Sequence, residues 1–305
     1  MKFGYCVRNP STRTYSEIRG LTLRIEKLDF DSIHVTDHLL GFDKTQEKKE
    51  TFLEVMTLLG ALSVETNKIK LGQIVLCNSF RNPAYLAKMI LTLDHISNGR
   101  VLMWIGAGWY EEEYKAYGYP FPSPKRRVDE LEESLTIYKK IFMEDETNFD
   151  GRFWKLERHR NFPKSIQKPY PQLVIGTNGK RMIDIACREA DGINLASLEL
   201  SQQKKRIENI SLIKEKLRKY NRDPSEFEIS LFTSVTIVNS QETVERIRKE
   251  RNILKSDMKY QFIGTPEEIR EKIKELENLS IKKMVILIES PDIEDPIHIF
   301  SREIM

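Results

Sequence analysis

His38 is the residue in this sequence best placed to move a proton. Period-two alternation through Ser32-Ile33-His34-Val35-Thr36 puts Ile33 and Val35 on one side of a strand, while His34, Thr36 and His38 share the other. A histidine where that strand ends exchanges its proton near neutral pH, which suits a reaction in which a hydride and a proton move separately. A satisfied structural histidine fits the same pattern, and it fits His34, deeper in the strand, better still. Gly106-Ala107-Gly108 closes another strand with small residues that leave room for a flat ligand against the backbone. Gly176-Thr177-Asn178-Gly179 joins a strand to a helix, so backbone N–H groups and a helix N-terminus point at whatever lies above, a ready phosphate site with Lys180 and Arg181 beside it. A plain tight turn explains those four residues about as well. Glu111, Glu112 and Glu113 read as the solvated start of a helix.

Several other chemistries lack their residues. There is no GxGxxG, P-loop, GxSxG or HExxH. Cys6, Cys77 and Cys187 are odd in number and far apart, without a CxxC, so neither a disulfide framework nor a structural zinc site is expected, and no metal-ligand set is indicated. Lys+Arg 49 against Asp+Glu 46 leaves a net +3 with no long basic block, which gives no reason to expect a nucleic-acid partner. With 40% apolar and 31% charged residues, the chain belongs with globular proteins, not disordered or fibrous ones. No apolar run approaches the ~18 residues of a membrane span. Met1-Lys2-Phe3-Gly4-Tyr5 leads directly into a strand without a signal-peptide core, so the cytoplasm is the expected location.

The elements that must position these residues alternate between strand and helix. The strands are read as Lys2 to Cys6, Ser32 to Thr36, Ile69 to Cys77, Val101 to Ala107, Leu173 to Gly176, Gly192 to Ala196, Phe227 to Val238 and Met284 to Ile288. Between them lie helical patterns: Ile18, Leu21, Ile25 and Leu28; Phe52, Val55, Met56, Leu59 and Leu62; and Leu86, Met89, Ile90 and Leu93 behind an Asn82-Pro83 start. Thr265-Pro266-Glu267-Glu268 is a capping box that opens the last long helix. Eight such units at about 32 residues each use roughly 256 of the 305 residues, which points to a TIM (β/α)8 barrel as a single domain over 1–305. A doubly wound sheet with an appended helical domain is the alternative. Residues 118 to 172 are less regular and are read as an excursion over the barrel mouth. In such barrels the working residues sit at the carboxyl ends of the strands.

The successive segments Ile33-His34-Val35-Thr36-Asp37-His38-Leu39-Leu40, Ile69 to Pro83, Leu93-Asp94-His95-Ile96-Ser97-Asn98-Gly99-Arg100, Ile105-Gly106-Ala107-Gly108-Trp109, Tyr117 to Pro122 and Ala190-Asp191-Gly192-Ile193-Asn194 resemble the motifs of the bacterial-luciferase-like superfamily, in particular its coenzyme F420-dependent branch. The resemblance runs in order over essentially the whole chain. It implies a barrel that binds a deazaflavin or flavin at its carboxyl face and moves a hydride between ring and substrate. It also implies a cis peptide at Ile74-Val75, supporting the ring. By the same correspondence Asp37, His38, Cys77, Gly106, Ala107, Gly108 and Glu112 line the ring pocket, Gly176, Thr177, Asn178 and Gly179 with Asn194 hold the phosphate-bearing tail, and His38 transfers a proton or orients the substrate. Four positions depart from the family pattern. Trp109 stands where sugar-phosphate dehydrogenases of the branch carry an acidic glutamate, Glu112 where a neutral amide is frequent, Asp29 where a glycine is usual, and His34 where an aromatic residue is usual.

The leading expectation is therefore an F420-dependent oxidoreductase acting on a small-molecule substrate, as a homodimer. The alternative within the superfamily is an FMN-dependent monooxygenase supplied by a flavin reductase. An alternative of another class is a cofactor-free binding protein on the same barrel. The loops expected to select the substrate are Gly41 to Glu50 and Tyr110 to Pro171.

Overall fold

The computed structural model describes residues 1–7, 13–41 and 52–305. Twelve strands occur among them: β1 (Lys2–Val7), β2 (Ser32–Val35), β3 (Lys70–Gln73), β4 (Leu76–Cys77), β5 (Met103–Gly106), β6 (Thr147–Asp150), β7 (Lys155–His159), β8 (Leu173–Gly176), β9 (Gly192–Ala196), β10 (Glu228–Ile237), β11 (Phe262–Gly264) and β12 (Lys283–Glu289). Nine of them form a parallel sheet in the order β3-β2-β1-β12-β10-β9-β8-β5-β4. The Leu71 N–H donates to the Arg100 carbonyl at 2.9 Å and the Leu102 N–H to the Leu71 carbonyl at 2.8 Å, which brings β3 beside β5 and joins the two ends of that order. Because β3 and β4 are halves of one strand, the ring has eight positions, the barrel that the alternation predicts. The predicted strand from Ile69 to Cys77 is divided by a cis peptide between Ile74 and Val75.

Helices cover the outside. α1 (Tyr15–Lys27) follows β1, α2 (Val55–Glu65) follows β2, and α3 (Pro83–Ile96) follows β4. α4 (Glu111–Ala116) and α5 (Pro124–Met143) follow β5; α6 (Lys180–Glu189) follows β8; α7 (Leu200–Lys204) and α8 (Arg206–Lys219) follow β9. α9 (Gln241–Glu250), α10 (Pro266–Asn278) and α11 (Pro296–Ile299) complete the chain. Their starts are written in the sequence: Asn82 caps α3 ahead of Pro83, and Thr265 with Glu268 forms the expected capping box on α10. Asp29, just past α1, has φ 59°, the left-handed conformation for which a glycine is usual. Asn98 and Gly99 also turn left-handed, and Arg100 then donates to the carbonyls of Ser63, Thr66 and Ile69, fastening the end of α2 to β3.

Two apolar layers result. One lies between strands and helices and includes Ile33, Val35, Leu59, Leu86, Leu135 and Ile183. The other fills the barrel itself with Cys6, Ile74, Leu102, Trp104, Val174 and Val285. Alternation thus places His34 inside the ring, as read, with its ring 4.4 Å from that of Trp104.

Three local expectations change. Phe52 precedes α2, because the Glu54 carboxylate accepts the Met56 and Thr57 N–H groups and starts the helix there. β11 adds to β10 outside the ring order, a short pairing that periodicity did not mark. The irregular region divides. Tyr114, Tyr119 and Phe121 pack with Phe80 and Cys77 at the mouth, but α5 is an ordinary outer helix between α3 and α6. The β6–β7 hairpin lies back along α5, whose Glu133 accepts the Arg152 and Phe153 N–H groups at 2.8 and 3.0 Å. Residues 162–166 then run beside α3, where Asp94 accepts from the Ser165 hydroxyl and the Ile166 N–H, each at 2.7 Å. Among the described residues no helix is long and apolar enough to cross a membrane.

Candidate active site at the carboxyl end of the barrel

Residues just past the strands converge on one cavity of about 800 Å³. β2 delivers Thr36, Asp37 and His38; β4 delivers Cys77; β5 delivers Gly106, Ala107 and Gly108; β8 and β9 deliver Gly176, Thr177, Asn178 and Asn194. Ile74, Val75, Phe232 and Leu287 give it an apolar floor continuous with the barrel interior. Gly106 and Gly176 serve that floor: a Cβ at Gly176 would lie 2.8 Å from Val75 Cγ1, and one at Gly106 would lie 3.0 Å from Val75 Cγ2. The room left by these glycines is therefore taken by Val75, from the junction of β3 and β4 beside β5, and a ligand would lie above the valine. Gly108 has φ +79°, and a Cβ there would meet the Tyr114 hydroxyl and come within 2.7 Å of Cys77 Sγ.

His38 stands at the mouth with its side chain 19% exposed. Its Nδ1 lies 3.1 Å from each oxygen of Glu113, and Glu113 also accepts the Leu39 and Leu40 N–H groups at 2.7 and 3.0 Å. The carboxylate holds the loop after β2 and selects the tautomer with the proton on Nδ1, so in the neutral ring Nε2 is the basic nitrogen. Trp109 is 63% exposed, packs edge-on to His38 at 5.8 Å, and stacks on Tyr110 at 5.3 Å.

Asp37 is buried and fully engaged. Arg81 donates to it through both terminal nitrogens, at 2.7 and 2.8 Å, and the Cys77 N–H donates at 2.8 Å. Burial pushes the Asp37 carboxyl up, while the guanidinium and the amide hold it down; Arg81, also bonded to Glu54 at 2.7 Å, is held protonated by the two carboxylates. This bridge ties the mouth of β2 to the start of α2. The Cys77 thiol sits 3.1 Å from the Tyr114 hydroxyl, and burial pushes its pKa up to about 12, so it packs as a thiol.

On the opposite wall, Asn178 donates to the Ala196 carbonyl at 2.9 Å and Asn194 donates to Ser230 Oγ at 3.0 Å. Thr177 Oγ1 accepts the Gly179 N–H at 2.9 Å, which caps that amide within the turn. Two residues predicted for the site lie off the cavity wall. Gly179 is exposed at the start of α6, and Glu112 faces solvent because the inward side of α4 carries Glu113 and Tyr114. Lys180 and Arg181 do not reach the turn's upper side either: Lys180 pairs with Glu208 at 3.1 Å, and Arg181 with Asp129 and Glu132 at 2.5 and 3.1 Å. Glu113 and Arg81 are the participants that sequence reasoning missed. The available signal for Glu113 was its neighbour Tyr114, an aromatic that marks the inward side of the short helix. Of the expected selecting loops, 42–50 lie outside the described residues.

A barrel with a deep cavity at its carboxyl end, floored by apolar side chains and rimmed by a histidine–carboxylate pair, has the form of a small-molecule or cofactor site. The chain belongs to the luciferase-like monooxygenase family, whose model matches residues 1–262. It is similar to an F420-dependent glucose-6-phosphate dehydrogenase of Amycolatopsis mediterranei, 30% identical over 171 residues, 56% of this chain and 50% of that one. It is also 30% identical over 138 residues to an FMNH(2)-dependent dimethylsulfone monooxygenase of Pseudomonas putida, covering 45% of this chain and 38% of the relative. The chain thus spans half or less of the length of these curated relatives. Among solved structures, an F420-dependent secondary alcohol dehydrogenase in complex with an F420-acetone adduct superposes with a TM-score of 0.82 over 99% of this chain and 98% of the other, at 21% identity, a likeness of fold.

Proposed function

We propose that this protein transfers a hydride between coenzyme F420 and a small organic substrate, an alcohol or ketone or an activated double bond, with 1–305 acting as a single domain. The observation that carries this reading is His38, oriented by Glu113 at the mouth of an apolar-floored cavity of about 800 Å³. The cavity fits a tricyclic ring: its volume lies in the range of cofactor sites, Val75 and Ile74 offer a flat apolar support, and the Asn178 and Asn194 amides lie to one side. Asp37, Cys77, Gly106, Ala107 and Gly108 would surround the ring, and Gly176, Thr177 and Asn178 would face its phosphate-bearing chain.

The bound deazaflavin supplies a ring carbon that accepts or gives a hydride. The protein's own residues handle the proton. In alcohol oxidation His38 Nε2 would take the hydroxyl proton as the carbinol hydride went to that ring carbon and the carbonyl formed, and Glu113 against Nδ1–H would stabilise the resulting imidazolium. The apolar floor excludes water from the reacting carbon.

A second reading, reduced FMN with oxygen, is favoured by the Pseudomonas putida relative and needs a flavin reductase. Incubation with F420 and a panel of secondary alcohols, and separately with reduced FMN in an oxygen electrode, tests the two. Bleaching of F420 without oxygen uptake supports the deazaflavin reading; oxygen uptake with FMN alone replaces it. We also propose a homodimer through α2 and α3, whose exposed faces include Val64, Tyr85 and Ile96. Sedimentation at the monomer mass would remove that proposal.

A further inference from the structure

We infer that Asn194 is a fixed hydrogen-bond acceptor for a neutral O–H or N–H of the bound cofactor, and that Ser230 sets its orientation; this rests on the reading of the site above. The first ground is the direction of the carboxamide. Ser230 is fully buried, and its hydroxyl donates to the Ile193 carbonyl at 3.0 Å. With its one proton spent, Ser230 Oγ can only accept, and it takes a proton of Asn194 Nδ2 at 3.0 Å. A carboxamide turned the other way would set Oδ1 against a hydroxyl with no proton left to give. Asn194 is 3% exposed and lines the cavity. Among the described residues none donates to its Oδ1, and that oxygen is not sealed in the packing. The oxygen left over therefore faces the cavity.

The second ground is what stands beside it. Asn178 has both ends of its amide engaged, with Nδ2 on the Ala196 carbonyl at 2.9 Å and Oδ1 taking Asn209 Nδ2 at 3.4 Å. Thr177 is the immediate neighbour, because its N–H donates to the Asn194 carbonyl at 2.9 Å. Its Oγ1 takes the Gly179 N–H and donates to no described residue, so the hydroxyl proton is available to a ligand. The wall thus sets the Asn194 acceptor next to a donor. A ligand hydroxyl fits both, since it gives one hydrogen bond and takes another, and an imide N–H on the edge of a flat ring fits Asn194. An ionised phosphate, which only accepts, would leave Oδ1 desolvated and unpaired. A site built around such an acceptor discriminates strongly against a ligand that lacks the donor.

The test is a fluorescence titration of the apoprotein with F420 and with its phosphate-free fragment, 8-hydroxy-5-deazariboflavin. Two altered fragments complete the set: a 3-methyl derivative without the imide N–H, and a 10-methyl analogue without the hydroxyl chain. Asn194→Leu, similar in size but without an acceptor, should raise the Kd of F420 and of the fragment at least tenfold each. That loss should vanish with one altered fragment, since wild type already lacks the bond there: with the 3-methyl derivative if the donor is the ring N–H, with the 10-methyl analogue if it is a chain hydroxyl. An unchanged Kd for the fragment, a loss confined to phosphate-bearing F420, or a loss that persists with both altered fragments overturns the inference. Ser230→Ala keeps Asn194 in place and frees its amide to turn, so the fragment should bind about threefold to tenfold more weakly. If circular dichroism shows Asn194→Leu unfolded, this variant decides, and unchanged binding overturns the inference. If FMN and riboflavin bind while F420 and the fragment do not, the deazaflavin reading falls; a tenfold loss with both flavins in Asn194→Leu then keeps the inference. Binding of none overturns both.

Discussion

Two histidines on the same side of one strand occupy opposite regimes. His34 is sealed in the barrel, with Nε2 3.0 Å from Ser32 Oγ and Nδ1 3.3 Å from the Gln73 carbonyl. Burial drives its pKa well below the ordinary value, and the charge of Lys283 pushes the same way. Lys283 itself is 1% exposed, held 2.8 Å from Asp31 and 5.4 Å over the Trp104 ring. Burial raises the Asp31 carboxyl, but the Lys283 ammonium more than offsets this and holds it below the usual range. His38, two repeats of the alternation further out, meets a carboxylate and an open cavity instead. Depth along the strand, not residue type, therefore separates the two histidines: burial at the floor keeps the His34 ring neutral, whereas His38 at the mouth faces the cavity with Nδ1 against the Glu113 carboxylate.

Removing the mouth histidine should have the largest effect. His38→Gln is expected to slow turnover of the F420-loaded protein by about 10²–10⁴-fold while the F420 Kd stays within a few-fold, as measured by stopped-flow absorbance and by titration. An equal loss from His34→Gln would erase the contrast. On the floor, Asp31→Asn strands the buried Lys283 ammonium, and urea unfolding should show a loss of about 3–5 kcal/mol with the activity per folded molecule preserved. His34 also makes stability depend on pH. The folded protein keeps this ring neutral, whereas the unfolded chain binds a proton near the ordinary histidine value of 6.5, so its contribution is complete above that pH and declines below it. Denaturation midpoints should fall from pH 6.5 downward, by at most about 1.4 kcal/mol per unit from this group, and His34→Phe should flatten that slope. The smallest effect is at Cys77: with its pKa at about 12, iodoacetamide at pH 8 should leave the native thiol unlabelled and activity unchanged.

The barrel was legible because alternation and capping are local: Ile33 against His34, Asn82-Pro83, and Thr265 with Glu268 each report their own element. The convergence of His38 and Gly106 to Gly108 followed from the rule that strand ends share one face of the ring, whereas Asp37, Cys77 and Asn194 were named by the family resemblance. What stayed hidden depends on distant contacts. Glu113 lies 75 positions from His38, and Arg81 lies 44 from Asp37, so neither pairing leaves a trace in local spacing. Gly106 looked like room for a ligand because the side chain that fills the space beside it and Gly176, Val75, comes from the junction between β3 and β4. Glu112 and Glu113 are neighbours that a one-residue rotation of α4 distinguishes, and that rotation is set by distant contacts, the packing of Tyr114 and the bonds of Glu113 to His38, Leu39 and Leu40.

The most direct test of the account is a fluorescence titration of the purified apoprotein with F420 and, in parallel, with FMN. Saturable micromolar binding of F420, with FMN at least tenfold weaker, is the predicted result. Binding of neither would contradict the assignment of the carboxyl-end cavity as a redox site and leave His38 and Glu113 as parts of a binding protein's rim.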